Sequence, residues 1–326
     1  MMYVRPNKHD TKEALTMNHD SIDLDKLQEK KNRGYILASS FLRLGWKEKA
    51  LLVMECGTYL GFATTTEGRT AIVEANFCKQ RLCPSCNWRR SLKIYGNTSR
   101  ILDHLDSTMG DSIKYLFLTL TVRNCPLPRL GEQIDAMAEG FKRLTNNRAW
   151  KRRVLGCMRT LEVTINHDTN EAHPHYHLIL AVNRQYATKN DKTYWNHDQW
   201  MEAWQKACRL DYTPNVSIER VRGRRCGIAE VSKYMAKDTD YLVSAWENQI
   251  GTKEAEATTD YIVMNLQEQM RGRRLISYTG LLRKAQQALR ITDPEAGDLT
   301  DDIRGDIVGA IRHYHWHAGL ACYRPI

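Results

Sequence analysis

The chain has 326 residues, enough for one large or two modest domains with a core that needs no disulfide staples. Its 42% hydrophobic and 26% charged content is that of an ordinary globular protein, and the longest aliphatic stretch, Leu178–Val182, falls far short of the roughly 18 residues of a membrane span. A formal charge of +10, from 48 Lys and Arg against 38 Asp and Glu, favours a polyanionic partner without identifying it.

Residues 1–22 are polar and aperiodic and read as a flexible arm. They lack the apolar core and cleavage site of a signal peptide, so a cytoplasmic location is expected. Residues 24–50 look helical, with Leu37, Phe41 and Leu44 on one side and Gly34 as a point where the segment could split. A cysteine-rich stretch from Cys56 to Cys86 leads into a basic helix near Trp88–Leu102. From residue 113 the pattern turns to strands. In Tyr115–Val122, Leu116, Leu118, Leu120 and Val122 alternate with Phe117, Thr119 and Thr121. Ile134, Met137, Ala138, Phe141 and Leu144 recur at helical spacing and would cover the aliphatic side of the sheet. Arg159–Asn166 and His175–Val182 alternate again. A helix is expected around Ile228–Trp246, then a strand at Arg274–Thr279 and a helix at Leu281–Leu289. This order gives an α+β fold with a central, mainly antiparallel sheet, helices on one face, and an N-terminal helical, cysteine-rich module. Boundaries are placed at 1–22 for the arm, 23–110 for the module, 111–290 for the sheet domain and 291–326 for a C-terminal extension.

Four of the nine cysteines fall within residues 56–86. In a chain with no export signal such grouping reads as metal binding rather than disulfide. Cys78, Cys83 and Cys86 have the short spacings that let neighbouring sulfurs reach one ion, and Cys56 would supply the fourth ligand. Four thiolates around Zn²⁺ leave no open position, so that site would be structural. In His173-Pro-His175-Tyr-His177, residues two apart share a strand face, so His175 and His177 project together while Tyr176, Leu178 and Leu180 enter the core. Glu162, on the polar side of the neighbouring strand, could complete a two-histidine, one-carboxylate face. Those ligands leave open positions that suit a catalytic Mn²⁺ or Mg²⁺. His173 is a weaker candidate. His313, His315 and His317 also alternate, but no carboxylate strand is evident beside them, and they read as a C-terminal edge segment.

On a continuous helix, Glu230, Tyr234, Lys237 and Tyr241 would form one stripe and Ile228, Val231, Met235, Leu242 and Ala245 another. Asp238 falls inside the apolar arc, which periodicity does not explain. Basic blocks at 75–102, at Lys142–Arg153 and at Arg220–Arg225 lie close to these motifs and point towards nucleic acid. Arg89, Arg90, Arg222, Arg224 and Arg225 are the candidate DNA contacts. Trp150, Trp195, Trp200 and Trp204 are available for stacking on bases.

Together these segments resemble the plasmid rolling-circle replication initiators of the HUH endonuclease superfamily, in the branch with a single tyrosine and a nearby glutamate. Phe117-Leu-Thr-Leu-Thr121 is similar to the family's first motif and His175-Tyr-His177 to its second. Tyr234-Met-Ala-Lys237 resembles the nucleophile motif, and Arg273–Leu281 the branch's C-terminal segment. The match covers roughly residues 50–300. The resemblance implies that Tyr234 attacks one strand at the double-strand origin, leaving a 5′-phosphotyrosine and a free 3′-OH primer, and that rejoining terminates the cycle. It implies that Glu162, His175 and His177 hold the catalytic ion, that Glu230 activates water for the terminating cleavage, and that Lys237 positions a phosphate. Tyr241 stays open as a second nucleophile. The implied partners are plasmid origin DNA, a host helicase and a DNA polymerase, with no membrane, and a homodimer stays open. The zinc module and N-terminal helices are expected to bind the duplex origin. Two further readings stay open: a relaxase or single-strand transposase with the same chemistry, and a non-catalytic zinc-dependent DNA-binding regulator.

Overall fold

The computed structural model describes residues 24–186, 188, 191, 193–220, 224–232, 236–245, 251–301 and 307–326. The chain divides into two units that interleave in sequence. One, the cysteine unit, takes residues 24–93, 237–268 and 296–326. The other, the sheet unit, takes residues 94–236 and 269–295. The division therefore departs from the sequential boundaries expected, because residues 237–268 and the C-terminal stretch group with the cysteine module.

The cysteine unit begins with helix α1 (Leu24–Arg43), which buries Leu27, Leu37 and Phe41. Gly34 does not split it. A Cβ there would meet only Val53 Cγ1 at 3.7 Å, so tertiary packing carries the helix through a residue of low helical propensity. The break comes at Gly45, whose φ of +78° closes the helix. Trp46 N–H donates to Phe41 O and Gly45 N–H to Leu42 O, the paired bonds of a Schellman end. Helix α2 (Lys47–Glu55) follows, then a hairpin of β1 (Tyr59–Thr65) and β2 (Thr70–Ala75). Helix α3 (Pro84–Met109) starts in this unit and ends in the other.

Strands β9 (Ile307–His317) and β10 (Cys322–Pro325) complete an antiparallel sheet of order β10-β9-β1-β2. The C-terminal histidine segment is thus an inner strand rather than an edge, with His315 opposite both Tyr59 and Arg324. Leu60, Phe62, Ile72 and Trp316 are buried on one face. Tyr35 of α1 reaches the Trp316 ring at 6.3 Å.

In the sheet unit the strands are β3 (Ile113–Thr121), the short β4 (Cys125–Pro126), β5 (Val154–Asn166), β6 (Glu171–Asn183), β7 (Val216–Arg220) and β8 (Ile276–Thr279). Their order is β7-β3-β6-β5-β8, with β4 beside β6 and every pairing antiparallel. The α+β class and antiparallel sheet match the sequence expectation. Period-2 alternation sends Leu116, Leu118, Leu120, Tyr176, Leu178 and Leu180 to one face. Helices α4 (Leu130–Asn146) and α6 (His197–Cys208) cover it, with the short α5 (Arg148–Lys151) between them in sequence. Phe141 of α4 and Trp204 of α6 both contact the Tyr176 ring, at 5.8 and 6.3 Å. A capping box at Asn196 and Gln199 starts α6. The opposite face carries Thr119, Thr160, Glu162, His175 and His177. Helix α3 packs against its Met158 end through Thr98. Helix α7 (Arg224–Val231) follows β7, and α10 (Gly280–Ala288) follows β8.

The continuous helix expected over 228–246 is not formed. Helix α7 ends at Val231, Lys237 has extended backbone angles (φ −68°, ψ 140°), and a separate short helix α8 runs Asp238–Tyr241. The helical periodicity spans two short helices, so the expected stripe is not one face of a single helix. Asp238 is explained as well. It is buried in the cysteine unit, where Lys30 Nζ and Arg33 Nη1 each approach one carboxylate oxygen at 2.7 Å. Helix α9 (Lys253–Gln269) completes the described elements.

Candidate functional site

The register of three strands builds the first candidate site. Glu162 lies directly opposite His175, and Thr121 and Thr119 lie opposite His175 and His177 on the other side. Glu162 Oε2 is 2.8 Å from His177 Nε2 and 3.3 Å from His175 Nε2. All three side chains are buried. A metal bound at about 2.1 Å would hold adjacent octahedral ligands about 3.0 Å apart, which these separations bracket. Each imidazole is aimed by its other nitrogen: His175 Nδ1 is 3.1 Å from His173 O, and His177 Nδ1 is 3.2 Å from Thr119 Oγ1. In a metal-loaded site, with Nδ1 protonated and donating, both Nε2 atoms would offer their lone pairs to the ion. Phe117 stacks on His177 at 5.6 Å.

Burial opposes ionisation of Glu162. The hydrogen bonds and charge of His175 and His177 outweigh it and hold the carboxyl well below its usual range. Burial, with the charge of His175, pushes His173 down to about 4, and among the described residues His173 belongs to no group that could hold a metal.

The second candidate is in the cysteine unit. Cys56, Cys78, Cys83 and Cys86 present sulfurs that all lie within 4.8 Å of one another. The separations Cys56–Cys86, Cys56–Cys83 and Cys78–Cys86 are 3.5, 3.5 and 3.7 Å. A disulfide needs about 2.05 Å. A tetrahedron with Zn–S of about 2.3 Å has edges near 3.8 Å, so the cluster has the size of a four-thiolate zinc site. Buried Lys31 donates to Met54 O and Cys56 O at 2.5 and 2.8 Å, placing its amine beside the four sulfurs. Burial lowers the Lys31 pKa, and the charge of the neighbouring cysteines opposes that. Among the described residues these two groups alone could hold a metal, so His313, His315 and His317 form no such group.

Other expected site residues are placed differently. Arg89 is buried and donates to Leu299 O and Asp301 Oδ1, and Arg90 is buried and donates to Lys79 O and Gln80 O. Both guanidinium groups stitch the module together, which corrects their reading as DNA contacts. Trp150, Trp200 and Trp204 are core residues, and Trp195 is half-buried beneath Arg153. Tyr241 is fully buried with its hydroxyl donating to Leu82 O, a placement that does not present it to a strand. Tyr234 and Arg222 lie outside the described residues. Glu230, Arg224 and Arg225 lie in α7, whose backbone alone is described at those positions. Lys237 is the residue before α8, in the cysteine unit. Sequence reasoning missed Thr119 as the partner of His177, although its parity with Phe117 and Thr121 was legible.

Two groups of unlike chemistry that could hold a metal, a Glu–His–His face on an antiparallel sheet and a four-sulfur cluster, mark this α+β protein. The sequence pattern of a family described as replication protein matches residues 69–318. Protein rep of Bacillus amyloliquefaciens is 36% identical over 327 residues, covering 90% of this chain and 92% of that protein. A Protein rep from Bacillus sp is 37% identical over 273 residues (78% and 85%), and one from Streptococcus pneumoniae 31% over 295 residues (86% and 88%). No solved structure matches the chain. The chain belongs to this replication protein family.

Proposed function

We propose that the protein initiates plasmid replication by nicking one strand at the double-strand origin. The observation that carries this reading is the buried Glu162–His175–His177 face, whose three donor atoms converge. When bound there, Mn²⁺ or Mg²⁺ would polarise the scissile phosphate and stabilise its developing charge.

A phenol with a pKa near 10 is a weak nucleophile at neutral pH, so it needs such a polarised target. Tyr234 is the nucleophile: its oxygen bonds to phosphorus as the bond from phosphorus to the 3′ oxygen breaks. The 3′ oxygen leaves, takes up a proton, and becomes the primer for a host polymerase. The phosphotyrosine conserves the bond energy for rejoining. Glu230 serves as general base for the terminating water, and Lys237 balances phosphate charge. The cysteine unit, with zinc held by Cys56, Cys78, Cys83 and Cys86, binds the flanking duplex. The implied partners are origin DNA and the host helicase and polymerase.

The test is incubation with labelled single-stranded origin DNA, with and without Mn²⁺, resolved on a denaturing gel. A metal-dependent covalent adduct that disappears in Tyr234→Phe is the expected result. Tight binding with no adduct on any strand would instead make the chain a non-catalytic zinc-dependent regulator.

A further inference from the structure

Beside the triad the sheet unit carries a cation that the chemistry above does not use. Thr121, the last residue of β3, is the register partner of His175, and Cys125 in β4 pairs with Ala172. The intervening stretch, including Arg123, is therefore held along β6 from His175 to Ala172, at the triad's end of the sheet.

The stretch is built rigidly. Trp204 Nε1 donates to Thr121 O at 2.8 Å, Thr121 Oγ1 donates to Asn215 O at 2.8 Å, and Arg123 N–H donates to the Tyr212 hydroxyl at 2.8 Å. The Arg123 guanidinium then lies over the Tyr212 ring, 3.8 Å from its centroid. Arg123 is exposed and Tyr212 half-buried. Among the described residues no carboxylate pairs with Arg123, whereas Arg129, Arg143, Arg184 and Arg273 each engage a carboxylate or a carbonyl.

A guanidinium held over an aromatic ring keeps all its N–H donors, because the ring takes none as a conventional hydrogen bond, and it can still offer a pair to phosphate oxygens. Its partner must be anionic, and here it would adjoin the place where a strand meets the triad. We propose that Arg123, positioned by Tyr212, contacts a backbone phosphate of single-stranded DNA next to the scissile position. The proposal deepens the nicking reading by naming a strand-binding residue of the same site.

The test uses the full chain carrying Tyr234→Phe, without added Mn²⁺ or Mg²⁺ and without chelator, so that binding is read without cleavage and any zinc stays in place, and labelled oligothymidine as the probe. Fluorescence anisotropy is followed across a salt series. Arg123→Ala should weaken binding roughly tenfold, the loss of one charge-assisted contact. It should also reduce the slope of log affinity against log salt by about 0.7, the share of one single-strand phosphate. Arg123→Lys should retain the slope, and Tyr212→Ala should weaken binding by freeing the guanidinium. Because the bond to Tyr212 uses the Arg123 backbone, a merely structural side chain would shift thermal unfolding and leave the salt slope alone. An unchanged affinity and slope in Arg123→Ala overturns the proposal, even if the otherwise native chain forms the covalent adduct. An Arg123-dependent slope in a protein that forms no adduct upholds the contact and removes the nicking reading instead.

Discussion

The phenol of Tyr241 donates its hydrogen to the carbonyl of Leu82, the residue immediately before Cys83. Burial first, and the charge of Asp238 next, push that phenol well above its ordinary range. Tyr241→Phe keeps the ring and leaves one buried carbonyl without its donor, so it should lower stability by about 1–2 kcal/mol. Denaturant unfolding would measure this. Adduct formation should persist in Tyr241→Phe, and its loss would restore Tyr241 as a nucleophile.

Asp238 answers to Lys30 and Arg33 in the same unit. Burial opposes its ionisation, but the two cations and their hydrogen bonds hold its pKa below the usual value. A depressed carboxyl stabilises the fold fully above the unfolded pKa of about 3.9, and the gain is lost as pH falls through the lower folded value. Asp238→Asn should therefore cost roughly 2–3 kcal/mol at pH 7, at or below the low end for breaking a buried pair because Arg33 is partly exposed. The gap between the native chain and the variant should narrow as pH is lowered below about 4. Unfolding curves at pH 7 and pH 3 with the same gap would contradict the charge argument.

How much was legible beforehand follows from how local each signal is. Glu162, His175 and His177 sit in strands whose period-2 alternation is continuous, so a face could be read from parity alone. The cysteines needed only spacing. The small sheet was hidden because β1 pairs with β9, about 250 residues away, and neither strand alternates cleanly around Gly61 and Gly309. The segment 228–246 misled for a different reason. Two short helices in separate units both bury apolar residues, and their joint pattern imitates one helix. Arg89 and Arg90 looked like a basic face because sequence shows charge but not the carbonyls of residues 79, 80 and 299 that receive it.

Helices α4 and α6 approach closely at Gly140. A Cβ there would come within 2.2 Å of Cys208 Sγ and 3.2 Å of its Cα. Gly140→Ala should destabilise the sheet unit by about 1–3 kcal/mol through overpacking. Adding Cys208→Ala removes the sulfur but not the backbone contact, so it should recover part of the loss. Full additivity of the two changes in thermal unfolding would mean that the helices do not touch there.

The sulfur cage predicts about one zinc per chain by elemental analysis. Cys83→Ser should lose it and expose the module to proteolysis, because a buried thiolate set without its ion keeps neither its charge balance nor its geometry. Mn²⁺ binding at Glu162, His175 and His177 is a separate event and should survive in that variant. Full zinc retention in Cys83→Ser would show that the four sulfurs do not act as one site.

Thr119 offers the finest probe of the open centre, because it touches the ligand His177 through Nδ1 and not Nε2. Thr119→Val preserves the strand and the β-branched shape while removing the hydroxyl that holds Nδ1 of the ring. Removal of such an orienting partner typically costs 10–100-fold in metal affinity. A Mn²⁺ titration followed by calorimetry should show a loss of about that size, with unfolding midpoints nearly unchanged in the absence of metal. His177→Ala should remove binding altogether. If Thr119→Val binds Mn²⁺ as tightly as the unaltered chain, the hydroxyl does not set the His177 imidazole, and the Phe117 stack must hold that ring instead.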